Sequence, residues 1–569
     1  MPDQSANAAE LDQDVPAPPP GPGRALGGLV GGGMTWMLVT TLAAKIATAG
    51  SQWVLAWKLL PDDFGVFAKA TAIAGFLMVC RDVGIREYLI ARGKDRFADE
   101  VSSGFWLAFV YNCLVCLIIA AAGAYFVQTG DARLGHMLFV MGGALPIGSL
   151  CAVQQAKLRQ DMRFGTFCMI TGASAVVRQV ASIAFVLMGF GYMSMAWPVL
   201  VATIVEAALG VFVTGNTFWS GKPDVHRWRG MMRHCKWLMF GSLSNFALDW
   251  GPFLVLNPVL NVANSVVGLV YFGFQMTAQI GVLLSWNLQT VLMPVLVALQ
   301  DEKERLRGAM VRSLRALMLV GSLASLGLTA IAIPLVHLLW PTRKDWHESV
   351  LVIMILGVFF PWRVTFGLCA SVLMAQNRFK RYAILTMLEG VGFTLATVIG
   401  YFVFVTLEAK DMLPTMPNFP LVGVQHAEAS IIALAAGLWL LVSRFTITWW
   451  IMHQNGVSLR DVFRATVPPW LVATVAGLSA VGLGIWLDSK VDLDAWLLAH
   501  TSLLGGSEDS TRLRIVADGL RLMVTGGSCV IIFTVLCRLL LTQALREAIG
   551  VMPSRLRPLA NKALLLNSV

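Results

Sequence analysis

Long apolar runs recur along the whole chain, and each of them is about 20 residues long. A helix of that length crosses the hydrocarbon core of a bilayer, whereas the strands of an outer-membrane barrel are about ten residues long and alternate in polarity. A lipid-exposed backbone must also satisfy its own hydrogen bonds, which a helix does within one segment. The sequence therefore predicts an all-α integral membrane protein.

The composition excludes a soluble protein and argues against a nucleic-acid partner. Of the 569 residues, 57% are hydrophobic and only 13% are charged, and the mean hydropathy is +0.69. The net charge of +10 is spread over short loops between apolar runs, as the positive-inside rule requires. We therefore expect no nucleic acid among the partners.

About fourteen transmembrane helices are predicted from the apolar windows and the charged or turn residues that bound them. Their predicted starts are Met34, Val66, Ser103, His136, Gly165, Met193, Trp237, Val266, Leu314, Ser349, Ala383, Glu428, Ala465 and Gly519. Residues 1–33 contain the stretch PAPPPGPG and lack the basic head and cleavage site of a signal peptide. We interpret them as a disordered tail.

Every second loop is basic, which predicts the orientation of the chain. The basic set comprises Arg92, Lys94 and Arg96; Lys157, Arg159 and Arg163; Lys222, Arg227, Arg229, Arg233 and Lys236; Arg305, Arg307 and Arg312; Arg378, Lys380 and Arg381; and Arg460 and Arg464. The intervening loops hold far fewer lysines and arginines. Because cytoplasmic loops are enriched in these residues, we expect the basic loops and both termini to face the cytoplasm.

The stretch from Gln300 to Arg315 (QDEKERLRGAMVRSLR) places Leu306, Met310 and Leu314 on one face of a helix. This pattern is typical of an amphipathic helix that lies on the membrane surface. A solvated extension of the ninth span gives the same pattern, so the sequence leaves both interpretations open.

An internal repeat is indicated when the first six spans are aligned with spans seven to twelve. The turn FGVF (Phe64 to Phe67) then falls on VGLV (Val267 to Val270). Each turn follows a helix with an ionisable residue, Lys45 in the first half and Asp249 in the second. The alignment predicts two six-helix bundles of the same orientation around a central cavity, with a substrate bound near the midplane and alternating access as the mechanism.

This repeat divides the chain into six segments. They are a disordered cytoplasmic tail (1–33), an N-terminal six-helix bundle (34–219), a basic cytoplasmic linker (220–236), a C-terminal six-helix bundle (237–455), an accessory C-terminal helix pair formed by spans 13 and 14 (456–542) and a cytoplasmic tail (543–569).

Several loop and turn segments carry a family resemblance. They are LAWKLLPDDFGVF (Leu55 to Phe67), RDVGIREYLI (Arg81 to Ile90), SSGFWLA (Ser102 to Ala108), AKLRQDMRF (Ala156 to Phe164), PVLVALQDEKERLR (Pro294 to Arg307), LLWPTRKDW (Leu338 to Trp346) and LMAQNR (Leu373 to Arg378). Together they resemble the polysaccharide transporters, or Wzx-like lipid-linked oligosaccharide flippases, of the multidrug/oligosaccharidyl-lipid/polysaccharide flippase superfamily.

The resemblance implies a flippase that moves an undecaprenyl-diphosphate-linked repeat unit from the cytoplasmic to the periplasmic leaflet, for exopolysaccharide or O-antigen assembly. It also implies membrane partners, namely the lipid-linked oligosaccharide and possible contacts with a polysaccharide polymerase and a chain-length regulator. The glycan is not specified by these loop motifs.

Ionisable residues inside the predicted spans are the candidate site, because such residues are costly in a bilayer and tend to face a bundle interior or a wet cavity. Cations can bind the oxygens of a diphosphate, and the candidates for substrate binding are Lys45, Arg81, Arg178 and Arg363. Carboxylates can bind a coupling ion or pair with a cation, and the candidates are Asp82, Glu206, Asp249 and Glu389.

Depth along the helices predicts two ion pairs among these residues. Lys45 and Asp82 lie at similar depths in the first two spans, and Arg178 and Glu206 do so in the fifth and sixth. The alternative to substrate binding is that each cation, Arg444 included, is neutralised by a neighbouring carboxylate and only joins helices.

Two other functions stay open at this stage. An ion-coupled drug or small-molecule antiporter of the same superfamily should have more acidic and fewer basic intramembrane residues. A membrane enzyme of polysaccharide assembly, a polymerase or ligase, should carry a larger periplasmic loop. We expect no enzyme activity, no cofactor and no metal, since the chain has no GxxxxGK[ST] nucleotide-binding motif and no zinc-site cysteine spacing.

Overall fold

The computed structural model describes residues 50–78, 93–161, 163–215, 223–256, 259–279, 302–340, 344–376, 378–410, 427–490 and 509–542, together with a few isolated positions. Lys45, Arg81 and Asp82, and with them the predicted pair of Lys45 and Asp82, lie outside these residues.

The described chain folds into helices, labelled here in chain order. They are α1 (50–58), α2 (Pro61–Met78), α3 (Gly93–Gln128), α4 (Ala132–Gln160), α5 (Phe164–Leu187), α6 (Trp197–Thr214), α7 (Val225–Leu256), α8 (264–279), α9 (Lys303–Leu339), α10 (Ser349–Phe359), α11 (Pro361–Ala375), α12 (Phe379–Ala409), α13 (Ala427–Gln454), α14 (Leu459–Lys490) and α15 (Asp509–Leu540). Short 3-10 helices precede α6 and α10.

Within the described residues, nine helices are long and apolar enough to cross a membrane. A tenth span results if α10 and α11, which are bent by 42° at Phe360, form one crossing. The bend follows from Pro361, which has no N–H group to continue the helical hydrogen bonds. The prediction of an all-helical membrane protein is confirmed, whereas the number of fourteen spans stays a prediction.

Several helices begin well before the predicted start of their spans. Helix α3 begins at Gly93, α7 at Val225 and α9 at Lys303. Hydropathy windows end at charged residues, but the helical backbone continues into water, where side chains on one face still pack. Met310 and Leu314 are fully buried on such an extension of α9. The extension of span nine is therefore the correct interpretation of this segment, and a separate surface helix is wrong.

The two halves of the chain pack in similar ways. In the first half α3 packs along α4, and α6 packs on α4 and α5. Their counterparts in the second half pack likewise: α9 packs on α10, and α13 packs on α10, α11 and α12. The accessory helices α14 and α15 pack on α9, and the indole N–H of Trp470 donates to the Val358 carbonyl at 2.7 Å.

The predicted repeat is visible where α2 meets α8. A Cβ atom at Gly65 would lie 2.7 Å from the carbonyl carbon of Asn264, and one at Gly268 would lie 2.8 Å from that of Pro61. One offset of 203 residues relates both partners (268 minus 65, and 264 minus 61). The contact is thus reciprocal, as an axis relating the two repeats requires, and both positions need glycine because the backbones touch.

Buried aromatic rings surround this contact and join the halves at one end of the protein. The Phe64 ring meets that of Trp346 at 4.9 Å, and the Phe272 ring meets Trp346 at 4.7 Å and Trp340 at 5.4 Å. The indole of Trp53 donates to the Leu339 carbonyl at 3.1 Å. We call this end the closed end; it corresponds to the predicted periplasmic side.

Contacts between loops follow the predicted alternation of sides. At the closed end, Lys69 binds Asp131 at 3.1 Å, and Arg133 of the same turn binds Asp62 at 2.7 Å. Basic loops meet at the opposite end, where Arg307 binds Asp461 at 3.0 Å. These two sets of loops therefore lie at opposite ends of the protein. Which end faces the cytoplasm and which faces the periplasm stays a prediction.

Candidate functional site

Arg363 and Asp249 form an ion pair between α11 and α7. The guanidinium lies over the rings of Phe274 and Phe360, at 5.1 and 5.4 Å from their centroids. The Asp249 side chain is 47% exposed and that of Arg363 is 17% exposed. The Nη1 atom of Arg363 has no hydrogen-bond partner among the described residues, so the group keeps a donor for another ligand.

Glu389 and Arg444 form a second ion pair, between α12 and α13. Both side chains are almost fully buried, at no more than 1% exposure, and the guanidinium lies 4.1 Å from the Phe366 ring centroid. Arg363 and Asp249 also act electrostatically on Glu389. We call Asp249, Arg363, Glu389 and Arg444 the charge quartet; its two cations and two carboxylates balance.

The arginine of the first half is placed differently. Arg178 lies on an exposed part of α5, yet it is within electrostatic range of Tyr271 on α8 of the other half. Tyr271 is buried, and its hydroxyl is hydrogen-bonded to Gln275. Among the described residues, no carboxylate oxygen lies within ion-pair distance of Arg178. This cation therefore lies within electrostatic range of the other half and has no carboxylate partner among the described residues.

Glu206 does not pair with Arg178, and this prediction is wrong. Its carboxylate instead accepts hydrogen bonds from Gln155 Nε2 at 2.6 Å and from Ser174 Oγ at 3.2 Å. The depths of the two residues are similar, but depth does not determine which face of a helix a side chain occupies. Glu206 contacts α4 and the adjoining turn of α5, whereas Arg178 has no hydrogen bond with Glu206 and lies within electrostatic range of Tyr271 on α8.

Sequence reasoning found the four members of the quartet separately but did not pair them. The partners Asp249 and Arg363 are 114 residues apart, and no spacing rule connects positions on two distant helices. The rings of Phe274 and Phe360 were also missed, because aromatic residues in apolar helices are too common to indicate a cation site. Pro361 was the feature of the sequence that could have indicated this region, since a proline inside a transmembrane span can break the helix.

Comparison with known proteins identifies the family. Residues 54–351, more than half of the chain, match a family described as "Polysaccharide biosynthesis protein". The chain belongs to this family. The resemblance carried by the loop and turn segments is thereby confirmed.

Two relatives of this polysaccharide biosynthesis protein extend the match. The succinoglycan biosynthesis transport protein ExoT of Rhizobium meliloti (strain 1021) is 23% identical over 492 residues, which cover 83% of this chain and 94% of the relative. An uncharacterized membrane protein in the cps region of Klebsiella pneumoniae is 23% identical over 376 residues, which cover 61% of this chain and 71% of that protein.

Solved structures match this family member in fold. The lipid II flippase MurJ in an inward closed conformation has a TM-score of 0.59 at 11% identity, covering 89% of this chain and 99% of MurJ. A multidrug resistance MATE family transporter in an inward-facing conformation has a TM-score of 0.55 at 13% identity, covering 74% and 98%. The protein thus shares its fold with these two structures.

Proposed function

We propose that this protein is a flippase that translocates undecaprenyl-diphosphate-linked oligosaccharide repeat units across the bacterial inner membrane, for exopolysaccharide or O-antigen assembly. Both termini then lie in the cytoplasm, and the polymerase and chain-length regulator that use the flipped unit are its expected partners. Membership in a polysaccharide biosynthesis family supports the pathway. The site itself supports the chemical class of the cargo.

The observation that carries the proposal is Arg178, a guanidinium at the junction of the two halves with no carboxylate partner among the described residues. A lone cation inside a membrane is costly unless an anion or water reaches it. A diphosphate offers several anionic oxygens, and a guanidinium binds such oxygens with two parallel hydrogen bonds. A diphosphate-linked lipid therefore supplies the missing partner.

Arg363 can provide a second contact across the junction. Its Nη1 donor is unused, and its partner Asp249 is the most exposed member of the charge quartet. An incoming diphosphate can compete with Asp249 for the guanidinium, which frees the carboxylate to take up a proton or another cation. Lys45, Arg81 and Asp82 complete the proposed binding and coupling set.

Alternating access requires the closed end to open in the opposite state. The contact between α2 and α8 is built from two glycines and two carbonyl groups, and no ion pair between described residues joins the two helices there. Backbones that only touch can separate without breaking charged bonds. The break at Pro361, beside the quartet, offers a second point of flexibility.

The test is transport in reconstituted vesicles. The full-length protein is inserted into liposomes with a fluorescent undecaprenyl-diphosphate oligosaccharide, and its appearance in the opposite leaflet is measured. We expect Arg178→Ala to reduce flipping at least about tenfold, from the loss of a charge-assisted bond. The matched control is Arg305→Ala, which removes an exposed arginine that pairs only locally with Glu302 at 2.8 Å.

The possible outcomes distinguish an error in the assignment of Arg178 from an error in the proposed flippase function. Unchanged flipping in the Arg178 variant contradicts the site assignment, and no flipping by the unaltered protein contradicts the proposed function. An ion-coupled antiporter is the second candidate, favoured by the exposed Asp249 carboxylate, which can bind a cationic drug. Proton-driven or sodium-driven export of a cationic dye from the same vesicles would support it.

A further inference from the structure

Glu206 on α6 is an intramembrane carboxylate with neutral partners. Gln155 and Ser174 donate hydrogen bonds to it, and no lysine or arginine nitrogen of the described residues lies within ion-pair distance. It lies eight residues before the end of α6 at Thr214, or about 12 Å into the helix from the basic-loop end. A carboxylate in this setting is costly unless a positive charge neutralises it.

A small cavity adjoins this carboxylate between α4, α5 and α6. Its volume is about 10 Å³, close to the space that one water-sized particle needs. Oxygen-bearing side chains in its lining are Glu206, Gln154, Gln155 and Thr171, and Gln155 donates its Nε2 hydrogen to Glu206. The Thr171 hydroxyl donates its hydrogen to the Phe167 carbonyl at 2.9 Å, which leaves the lone pairs of the hydroxyl oxygen available.

Gln154 provides an independent sign of a ligand. It is 2% exposed, and its Nε2 donates to the Ala207 carbonyl at 3.3 Å, which directs Oε1 away from that carbonyl. The Oε1 atom is buried and has no hydrogen-bond partner in the part of the chain that the structure describes. A buried carbonyl oxygen without a donor calls for a ligand, such as an ion.

Gly210 makes room for this carboxamide. A Cβ atom at position 210 would lie 2.5 Å from the Gln154 carboxamide carbon, so any side chain there must displace it. Side chains with carboxylate, carboxamide and hydroxyl oxygens thus line one cavity of the size of a single small particle.

We propose that Glu206, Gln154 and Thr171 bind one sodium ion in the first half of the protein. Hard cations prefer carboxylate, carbonyl and hydroxyl oxygens. The single carboxylate neutralises one positive charge, so a divalent ion would leave an excess charge among apolar helices. The site is separate from Arg178 and from the charge quartet, and it does not depend on the substrate proposed above, since sodium binding can be measured without a lipid-linked sugar.

The experiment is equilibrium binding of radiolabelled sodium to the purified full-length protein in lipid nanodiscs, with choline chloride holding the ionic strength constant. We expect saturable binding by the unaltered protein and its loss in Glu206→Gln. Glu408→Gln is the control, because it removes an exposed carboxylate at the end of α12 and should leave binding unchanged.

A second variant tests the site if Glu206→Gln does not fold. Gly210→Ala moves only the flexible end of Gln154 and should weaken sodium binding about tenfold, from the loss of one oxygen ligand. No sodium binding by the unaltered protein overturns the proposal, even if the protein responds to pH. Equal binding by the unaltered protein and by whichever site variant folds overturns it as well.

Discussion

The reciprocal glycine contact gives the sharpest prediction about conformational change. Alanine at Gly65 places its Cβ 2.7 Å from the Asn264 carbonyl carbon, where ordinary carbon contacts are about 3.5–4.0 Å. Because the obstacle is backbone and not a flexible side chain, α2 and α8 must move apart by about 1 Å. Overpacking of this kind costs about 1–3 kcal/mol.

The helices α2 and α8 touch only in the state that is closed at this end, so the cost applies to that state alone. In a protein that alternates between two states, 1–3 kcal/mol shifts the equilibrium roughly 5-fold to 150-fold toward the state open at this end. In Gly268→Ala, the added Cβ lies 2.8 Å from the carbonyl carbon of Pro61, so this variant should have the same effect. Gly143→Ala is the control, because a Cβ there has nothing within 4 Å.

Distances between spin labels at Gln128 and Val259 measure the opening. Both positions are exposed at the closed end, one in each half. Each of the two glycine variants should move population toward longer distances, and the control should keep the distribution of the unaltered protein. An unchanged distribution in both glycine variants would refute the reasoning, and an effect at only one glycine would refute the reciprocity.

Three further predictions concern the charge quartet and the bend beside it. Glu389→Gln leaves the buried Arg444 uncompensated and should cost about 3–5 kcal/mol of stability. Leucine at both positions should cost much less. Thermal unfolding of the purified variants measures both effects. Asp249→Asn should strengthen binding of a diphosphate lipid by freeing Arg363, with slower release in a binding assay. Pro361→Ala restores a backbone donor and should reduce the 42° bend between α10 and α11, measurable in a structure of the variant.

The sequence predicted helices well and their packing partners poorly. Apolar windows located the spans, yet α7 begins at Val225 and not at Trp237, because hydropathy measures contact with lipid and not the extent of the helical backbone. The repeat was predictable because FGVF and VGLV keep a glycine where backbones touch. A close contact between two backbones can be recognised in the sequence because only glycine fits there.

The partners of the charged residues could not be recognised in the sequence in this way. Arg178 and Glu206 were paired by depth, and the structure places Glu206 beside Gln155 and Ser174 instead. Depth follows from counting residues at a known rise per residue, but the direction of a side chain around the helix depends on how neighbouring helices are arranged. That arrangement involves residues far apart in the chain, which a single sequence does not connect.

Symmetric contact and asymmetric charge together account for how such a protein can move an anion. The repeat gives α2 and α8 matching surfaces, so the two halves can close against each other at Gly65 and Gly268. The charges differ between the halves: among the described residues the quartet of the second half is paired, whereas Arg178 and Glu206 of the first half have no charged partner. In the proposed flippase, Arg178 is the cation to which an anion at the junction would bind, and the bound anion would follow it as the halves move.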